Sequence, residues 1–135
     1  MEKFSGVAAY MQATRKFVKE RGYVETILGR RRYIPEINSP NFQIQSGAER
    51  MAINMPIQGL AADIVKLAMI AVFAKYESNR NIRMLLQVHD EIILEVREDL
   101  ADEIAGDVKR IMENVLALKV PLVVDVSIGD NWGAI

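Results

Sequence analysis

Apolar positions along this chain alternate between a helical and a strand-like period, passing from helix to strand three times. Val7, Tyr10, Met11, Thr14, Phe17 and Val18 recur at helical spacing, and Gly22 follows the last turn, so an amphipathic helix with a glycine stop is expected. Tyr23–Leu28 and Arg31–Ile34 then read as two strands around Gly29-Arg30, where glycine in the first central position suits a type II′ turn. Pro35 ends the second strand, and Asn38-Ser39-Pro40-Asn41 is loop chemistry. From Ser46 to Tyr76 the pattern is helical, with a kink or break expected near Pro56 because proline lacks an amide donor and clashes with the preceding turn. Leu60, Ala61, Ile64, Leu67, Ala68, Ala71 and Val72 mark its buried face, and Met69, Ile70 and Phe73 widen it, which predicts a central helix.

After a turn at Ser78-Asn79-Arg80-Asn81, two apolar runs meet at His89-Asp90 and predict a tight hairpin. Asp99 begins a helix carrying Leu100, Ile104, Val108, Ile111, Met112 and Val115, and Pro121–Ile128 reads as a last strand. The order is helix, hairpin, long broken helix, hairpin, helix, strand. The simplest packing is α+β, an antiparallel sheet with helices packed on one face. With 135 residues, half of them apolar, one core and a single domain over 1–135 are expected. No apolar run near 18 residues is evident, so no membrane span is expected, and nothing at the amino terminus resembles a signal peptide. The absence of cysteine rules out disulfides and thiolate metal sites and fits a reducing compartment.

Net charge of −1 argues against a generic nucleic-acid binder, but its distribution changes that reading. Residues 1–89 carry 13 Lys and Arg against 7 Asp and Glu, and residues 90–135 carry 4 against 11. The basic half can face phosphates while the acidic half is solvated or binds metal. Chance clustering on a soluble surface is the plainer account.

Three groups of residues are candidates for chemistry. Asp90 and Glu91 sit at the expected hairpin tip, backed by buried Leu, Val and Ile. Rigid carboxylates there suit a hard cation such as Mg²⁺, which takes few protein carboxylates and leaves room for phosphates. A solvated acidic turn is the alternative. Arg50, Asn54 and Gln58 are four residues apart and line one side of a helix. Their donors suit the minor groove, which presents acceptors at every base pair, although a plain polar helix face has the same pattern. Arg30, Arg31 and Arg32, near Arg15, Lys16, Lys19 and Arg21, suit phosphate contact or pairing with acidic residues elsewhere.

Four segments carry a family resemblance. They are Gln87-Val88-His89-Asp90-Glu91; Gly22-Tyr23-Val24-Glu25-Thr26 with Gly29-Arg30-Arg31-Arg32; Glu49 through Gly59; and Val120-Pro121-Leu122 through Gly129-Asp130-Asn131-Trp132. Taken in the order in which they follow along the chain, they resemble the carboxyl-terminal part of the palm in family A DNA polymerases, the bacterial DNA polymerase I type. One position departs from that pattern: Leu60 stands where threonine is usual, which loses a hydroxyl and keeps the helix.

The resemblance implies a fragment of a DNA-directed DNA polymerase that adds deoxynucleotides to a primer 3′-OH, with a cytoplasmic, nucleoid-associated location. Asp90 would bind catalytic Mg²⁺ and Glu91 assist. His89, the one histidine, would position the primer terminus, although a lone histidine near a sheet edge is often structural. Arg50, Asn54 and Gln58 would hold primer–template duplex. Two metals about 3.5–4 Å apart serve such a displacement, and one Asp cannot hold both. The motif with the other essential Asp and the fingers helix that binds the deoxynucleoside triphosphate are absent from these residues, so the isolated chain is expected to be inactive. The remainder of the polymerase chain would be a partner, and a homodimer through an exposed sheet edge is expected. A non-catalytic duplex-DNA-binding module and a self-associating scaffold are the rival readings.

Overall fold

A computed structural model describes residues 4–134; the first three residues and Ile135 lie outside the described residues. Instead of one core there are two compact units, Met1–Ala61 and Ala62–Ile135, each with its own buried cluster. The class is α+β, with the antiparallel strands in two separate two-stranded ribbons where one sheet was expected.

The first unit begins with helix α1 (Ser5–Arg21). Of the expected apolar face, Thr14 and Val18 are buried, while Val7 and Phe17 stay exposed. Gly22 closes the helix at φ +75°, with its amide donating to the Val18 carbonyl at 2.8 Å, the left-handed stop that glycine adopts without steric cost. Strands β1 (Tyr23–Glu25) and β2 (Arg31–Tyr33) pair antiparallel, Tyr23 opposite Tyr33. They are shorter than expected, because the turn lies one step earlier. Thr26 N–H donates to the Arg30 carbonyl and Gly29 N–H to the Thr26 carbonyl, both at 2.9 Å, with Gly29 at φ +84°. This is a three-residue loop with left-handed glycine in its last position. The buried Thr26 hydroxyl selects it by accepting from the amides of Leu28 (3.3 Å) and Arg30 (3.2 Å).

A 3₁₀ turn at Pro35–Asn38 buries Ile37. The Asn41 side chain then accepts from the amides of Gln43 (2.9 Å) and Ile44 (3.4 Å). This cap starts helix α2 at Phe42, four residues before the expected Ser46. The helix runs unbroken to Tyr76 with Pro56 inside it, so the expected break is absent. Proline leaves the Ala52 carbonyl without its helical donor. One residue on, the Tyr10 hydroxyl donates to the Ile53 carbonyl at 2.9 Å, tying α1 to the disturbed turn. Val18, Val24, Ile34, Ile37, Ala48, Ala52 and Met55 form the core. Each large aliphatic side chain fully buried there is worth roughly 1.5–3 kcal/mol. Glu49 joins the two helices through Lys19 (2.7 Å) and Arg15 (3.2 Å), and these cations, Lys19 foremost, hold its carboxyl below the usual range.

In the second unit α2 buries Val65, Ala68 and Val72, but Ile70 (65%) and Phe73 (61%) are exposed, so the helix is not sheathed on all sides by the described residues. By length and composition alone α2 is apolar enough to cross a membrane, a test that the core helix of a soluble protein also passes. That corrects the expectation that no such run exists. Strands β3 (Ile82–Val88) and β4 (Glu91–Val96) follow, then a 3₁₀ turn at Glu98–Leu100 and helix α3 (Ala101–Glu113). Asp99 does not cap α3; it pairs with Arg97. Val72, Ile82, Ile104 and Val108 are the buried centre, with Tyr76, Met84, Leu94 and Ile111 packed around it.

The expected strand at Pro121–Ile128 is absent: residues 117–129 form no ladder, and Val120, Val123, Val126 and Ile128 are exposed. A strand needs a neighbour to pair with. Here the Val124 amide instead donates to the Glu113 carboxylate at 3.1 Å.

Asp107 on α3 is the polar hub of this unit. Its carboxylate accepts from the Tyr76 hydroxyl at 2.6 Å and from Lys75 and Arg110. Lys75, then Tyr76, holds the Asp107 carboxyl down to about 2, while burial and Asp107 push the Tyr76 phenol up to about 12. The Asp107 contribution to stability is therefore complete above the ordinary value of 3.8 and lost as pH falls towards 2. The Tyr76 contribution is complete below pH 10 and lost as pH rises towards 12. Asp107→Asn is expected to lower stability by on the order of 1 kcal/mol at neutral pH and to flatten the acid arm. Denaturant unfolding followed across pH 2–5 reads this, and equal slopes in the two proteins would refute it.

Candidate active site and nucleic-acid interface

Strands β3 and β4 pair from Ile82 opposite Val96 at the base to Val88 opposite Glu91 at the tip. A two-residue turn, His89-Asp90, joins them as the sequence predicts. Such turns match the twist of the strands only with a positive φ at the first central residue, which usually selects Gly or Asn. Here His89 takes it, at φ +53°, the one non-glycine residue with positive φ among the described residues. The Gln87 side-chain amide donates to the His89 carbonyl at 2.6 Å, across the turn.

The register shifts between Met84 and Leu86, leaving Leu85 as an extra, unpaired residue. This β-bulge bends the strand and re-aims the residues beyond it. It also puts Leu85 (48%) and Leu86 (47%) in solvent, so the tip is not backed by buried leucines as expected. Asp90 and Glu91 are adjacent and exposed. No group of three or more His, Cys, Asp or Glu gathers among the described residues. Two neighbouring carboxylates suit a magnesium ion that takes its other ligands from phosphate and water. A cavity of about 320 Å³ lies at the other end of the hairpin, lined by Arg80, Asn81, Arg83, Glu95, Val96 and Arg97. It does not include the acidic pair. Arg83 is already paired with Glu95 at 3.1 Å, and Arg97 with Asp99 and Asn81.

In the first unit, Arg50, Asn54 and Gln58 are all exposed on the unbroken helix α2. Their fourfold spacing drifts by about 40° per step, so they form one slightly slanting stripe. Ser46 steadies Arg50, accepting from its guanidinium at 3.1 Å. The three arginines of the β1–β2 hairpin separate. Arg31 pairs with Glu25 and lies over the Tyr23 ring, 4.7 Å from its centroid, which is the structural alternative raised for this run. Arg32 is exposed and makes no ion pair among the described residues. Arg30 runs along α2, where a Cβ added to Gly59 would lie 3.5 Å from its Cδ. Arg15 and Lys19, grouped with this run by sequence, are occupied by Glu49.

Sequence reasoning missed three residues that shape these sites: Gln87 under the turn, Tyr10 at the Pro56 turn, and Thr26 beneath Gly59. The only sequence signal for the last was a glycine inside a helix, which costs helix propensity and so asks for a packing reason.

This chain spans the pattern of a known family: residues 1–134 match the family described as DNA polymerase family A. The chain belongs to DNA polymerase family A. It is similar to "DNA polymerase I" of Pseudomonas aeruginosa, 50% identical over 131 residues, which are 96% of this chain and 14% of that protein. It is similar also to "DNA polymerase I" of Bacillus subtilis, 50% identical over 133 residues, 98% of this chain and 15% of that one. The chain thus spans about a seventh of the length of these curated relatives. Among solved structures it resembles the POL domain of Pol1 from M. smegmatis in complex with DNA primer-template and dNTP. The TM-score is 0.84 at 45% identity, covering 90% of this chain and 22% of that one.

Proposed function

We propose that the chain is the carboxyl-terminal palm segment of a DNA-directed DNA polymerase that extends a primer 3′-OH on a DNA template and releases pyrophosphate. The observation that supports it is the family match over residues 1–134, with Asp90 and Glu91 exposed at the tip of a two-residue hairpin. Asp90 would hold a magnesium ion, with Glu91 assisting beside it. When bound, such an ion supplies charge stabilisation to the oxygens of the displacement. Arg50, Asn54 and Gln58 grip duplex through sequence-tolerant minor-groove hydrogen bonds, and His89 positions the primer end. Arg30 and Arg32 approach phosphates; Arg31 serves the hairpin itself. Self-association is a second reading, supported by Leu85, Leu86 and the apolar residues of 117–129 lying in solvent.

The test is a binding and extension assay on the purified chain with a primer–template duplex. Binding is expected to weaken with salt and to fall further in the triple variant Arg50→Ala, Asn54→Ala, Gln58→Ala. No nucleotide incorporation is expected from a segment covering 14–15% of its relatives. Salt-independent or absent binding would sink the duplex-gripping role, and robust incorporation would sink the fragment reading. Light scattering on the same sample at millimolar concentration reads self-association, and a strictly monomeric mass ends that reading.

A further inference from the structure

We infer that Gln87 is a positioning residue that holds the His89–Asp90 peptide in one orientation and so sets the direction in which the Asp90 carboxylate points. The inference deepens the polymerase reading, on which its functional half rests.

The central peptide of a β-turn is its loosest part. Rotating that peptide converts one turn type into another while the flanking strands stay paired. Here the central peptide joins His89 to Asp90. Its carbonyl belongs to His89, and its rotation changes ψ of His89 and φ of Asp90 together. A flip would therefore re-aim the Asp90 side chain with the ladder from Ile82 to Val88 intact. His89 sits at φ +53°, a left-handed value that the flip leaves unchanged. What remains to be held is the orientation of the His89–Asp90 peptide.

Gln87 holds it by donating its side-chain amide to that same carbonyl at 2.6 Å. It stands two residues before the turn, opposite Ile92 in the ladder, and its anchorage is the sheet. The contact is local, spanning two residues beyond the bulge at Leu85, where the ladder is regular through Gln87 opposite Ile92 and Val88 opposite Glu91. Both residues are exposed, so the hydrogen bond adds little to global stability. Its ordinary net strength still biases a two-state equilibrium by about two- to tenfold. That is enough to decide which orientation of an exposed turn dominates.

Gln87→Leu keeps the bulk and removes the donor, and Gln87→Glu keeps the length and turns the donor into an acceptor. In the purified chain, three-bond HN–Hα couplings and carbonyl shifts of His89 and Asp90 are expected to move in both variants. Reporters at Ile82 and Val108 and the unfolding midpoint should stay in place. Turn signals identical to wild type in both variants would overturn the inference, and so would a global loss of stability with no local change. The functional arm uses a complete polymerase carrying this segment. Gln87→Leu should lower kcat by about two- to tenfold, with the KM for nucleotide and the Kd for duplex unchanged. A change confined to Kd would mean that Gln87 touches DNA directly and would refute the positioning role. If that polymerase were inactive with the wild-type segment, the polymerase reading would fail, and the coupling measurements would still decide the clamp.

Discussion

In a polymerase carrying this segment, Asp90→Ala is expected to lower kcat by at least about 10²–10³-fold and to leave duplex Kd within about twofold of wild type. The split follows from where Asp90 stands. It is exposed at the tip of a two-residue turn, and among the described residues nothing else joins it and Glu91 in a cluster of three. Its loss removes no packing and leaves no buried partner unsatisfied, so the hairpin keeps its ladder. On the role proposed for Asp90, what disappears is a carboxylate that would hold charge where charge develops during reaction, an interaction worth more in the transition state than in the ground state. The Arg50–Asn54–Gln58 stripe, on another element, is untouched. Steady-state kinetics and duplex titration on one preparation make the test. Near-normal turnover with a large loss of affinity would contradict the assignment of Asp90 to chemistry.

The second large effect concerns Gly59, where alanine should destabilise the first unit despite being the better helix former. Alanine is worth about 1 kcal/mol over glycine in a helix interior. Against that, a Cβ at Gly59 would lie 2.8 Å from the Thr26 Cγ2 and 3.3 Å from the Met55 Cε. Met55 can give way. Thr26 cannot easily, because its hydroxyl accepts from the amides of Leu28 and Arg30 and it is buried. Forcing it aside costs about 1–3 kcal/mol as overpacking and disturbs the loop that presents Arg30. The expected net loss for Gly59→Ala is on the order of 1 kcal/mol, and Gly59→Val should lose more. Thr26→Ser keeps the hydroxyl and removes the methyl, so Gly59→Ala in that background should be neutral or stabilising. The coupling from a double-mutant cycle, on the order of 1–2 kcal/mol, identifies the methyl contact. Additive effects would show that Gly59 is required for another reason.

Thr26 also explains where the sequence reading of the fold fell short. Strand propensity continues through Thr26-Ile27-Leu28, and glycine at the start of a two-residue turn is a familiar signal. Two hydrogen bonds to one hydroxyl end the strand earlier, and periodicity carries no information about them. Pro56 misled in the opposite sense. Its effect on one turn is real, but 35 helical residues with a cap at Asn41 and packing at Ala48, Ala52 and Met55 hold the helix through it. The segment 117–129 has the composition of a strand and lacks a partner among the described residues. Pairing is a property of two segments, so a single one cannot reveal it.

The sequence by itself determined the order of elements as far as the helix Ala101–Glu113, the turn at His89-Asp90 and the exposure of Asp90 and Glu91 at its tip. It also determined the stripe of Arg50, Asn54 and Gln58, because each of these depends on spacing within one element. Only the tertiary structure decided what depends on contacts between elements. There are two buried clusters rather than one, and two ribbons rather than one sheet. Arg31 turns to Glu25 while Arg32 faces solvent. The ladder bulges at Leu85, and the Gln87 amide meets the His89 carbonyl. Local period follows from the geometry of one backbone, whereas register, bulges and ion-pair choice follow from which surfaces meet, and no single stretch of chain encodes that.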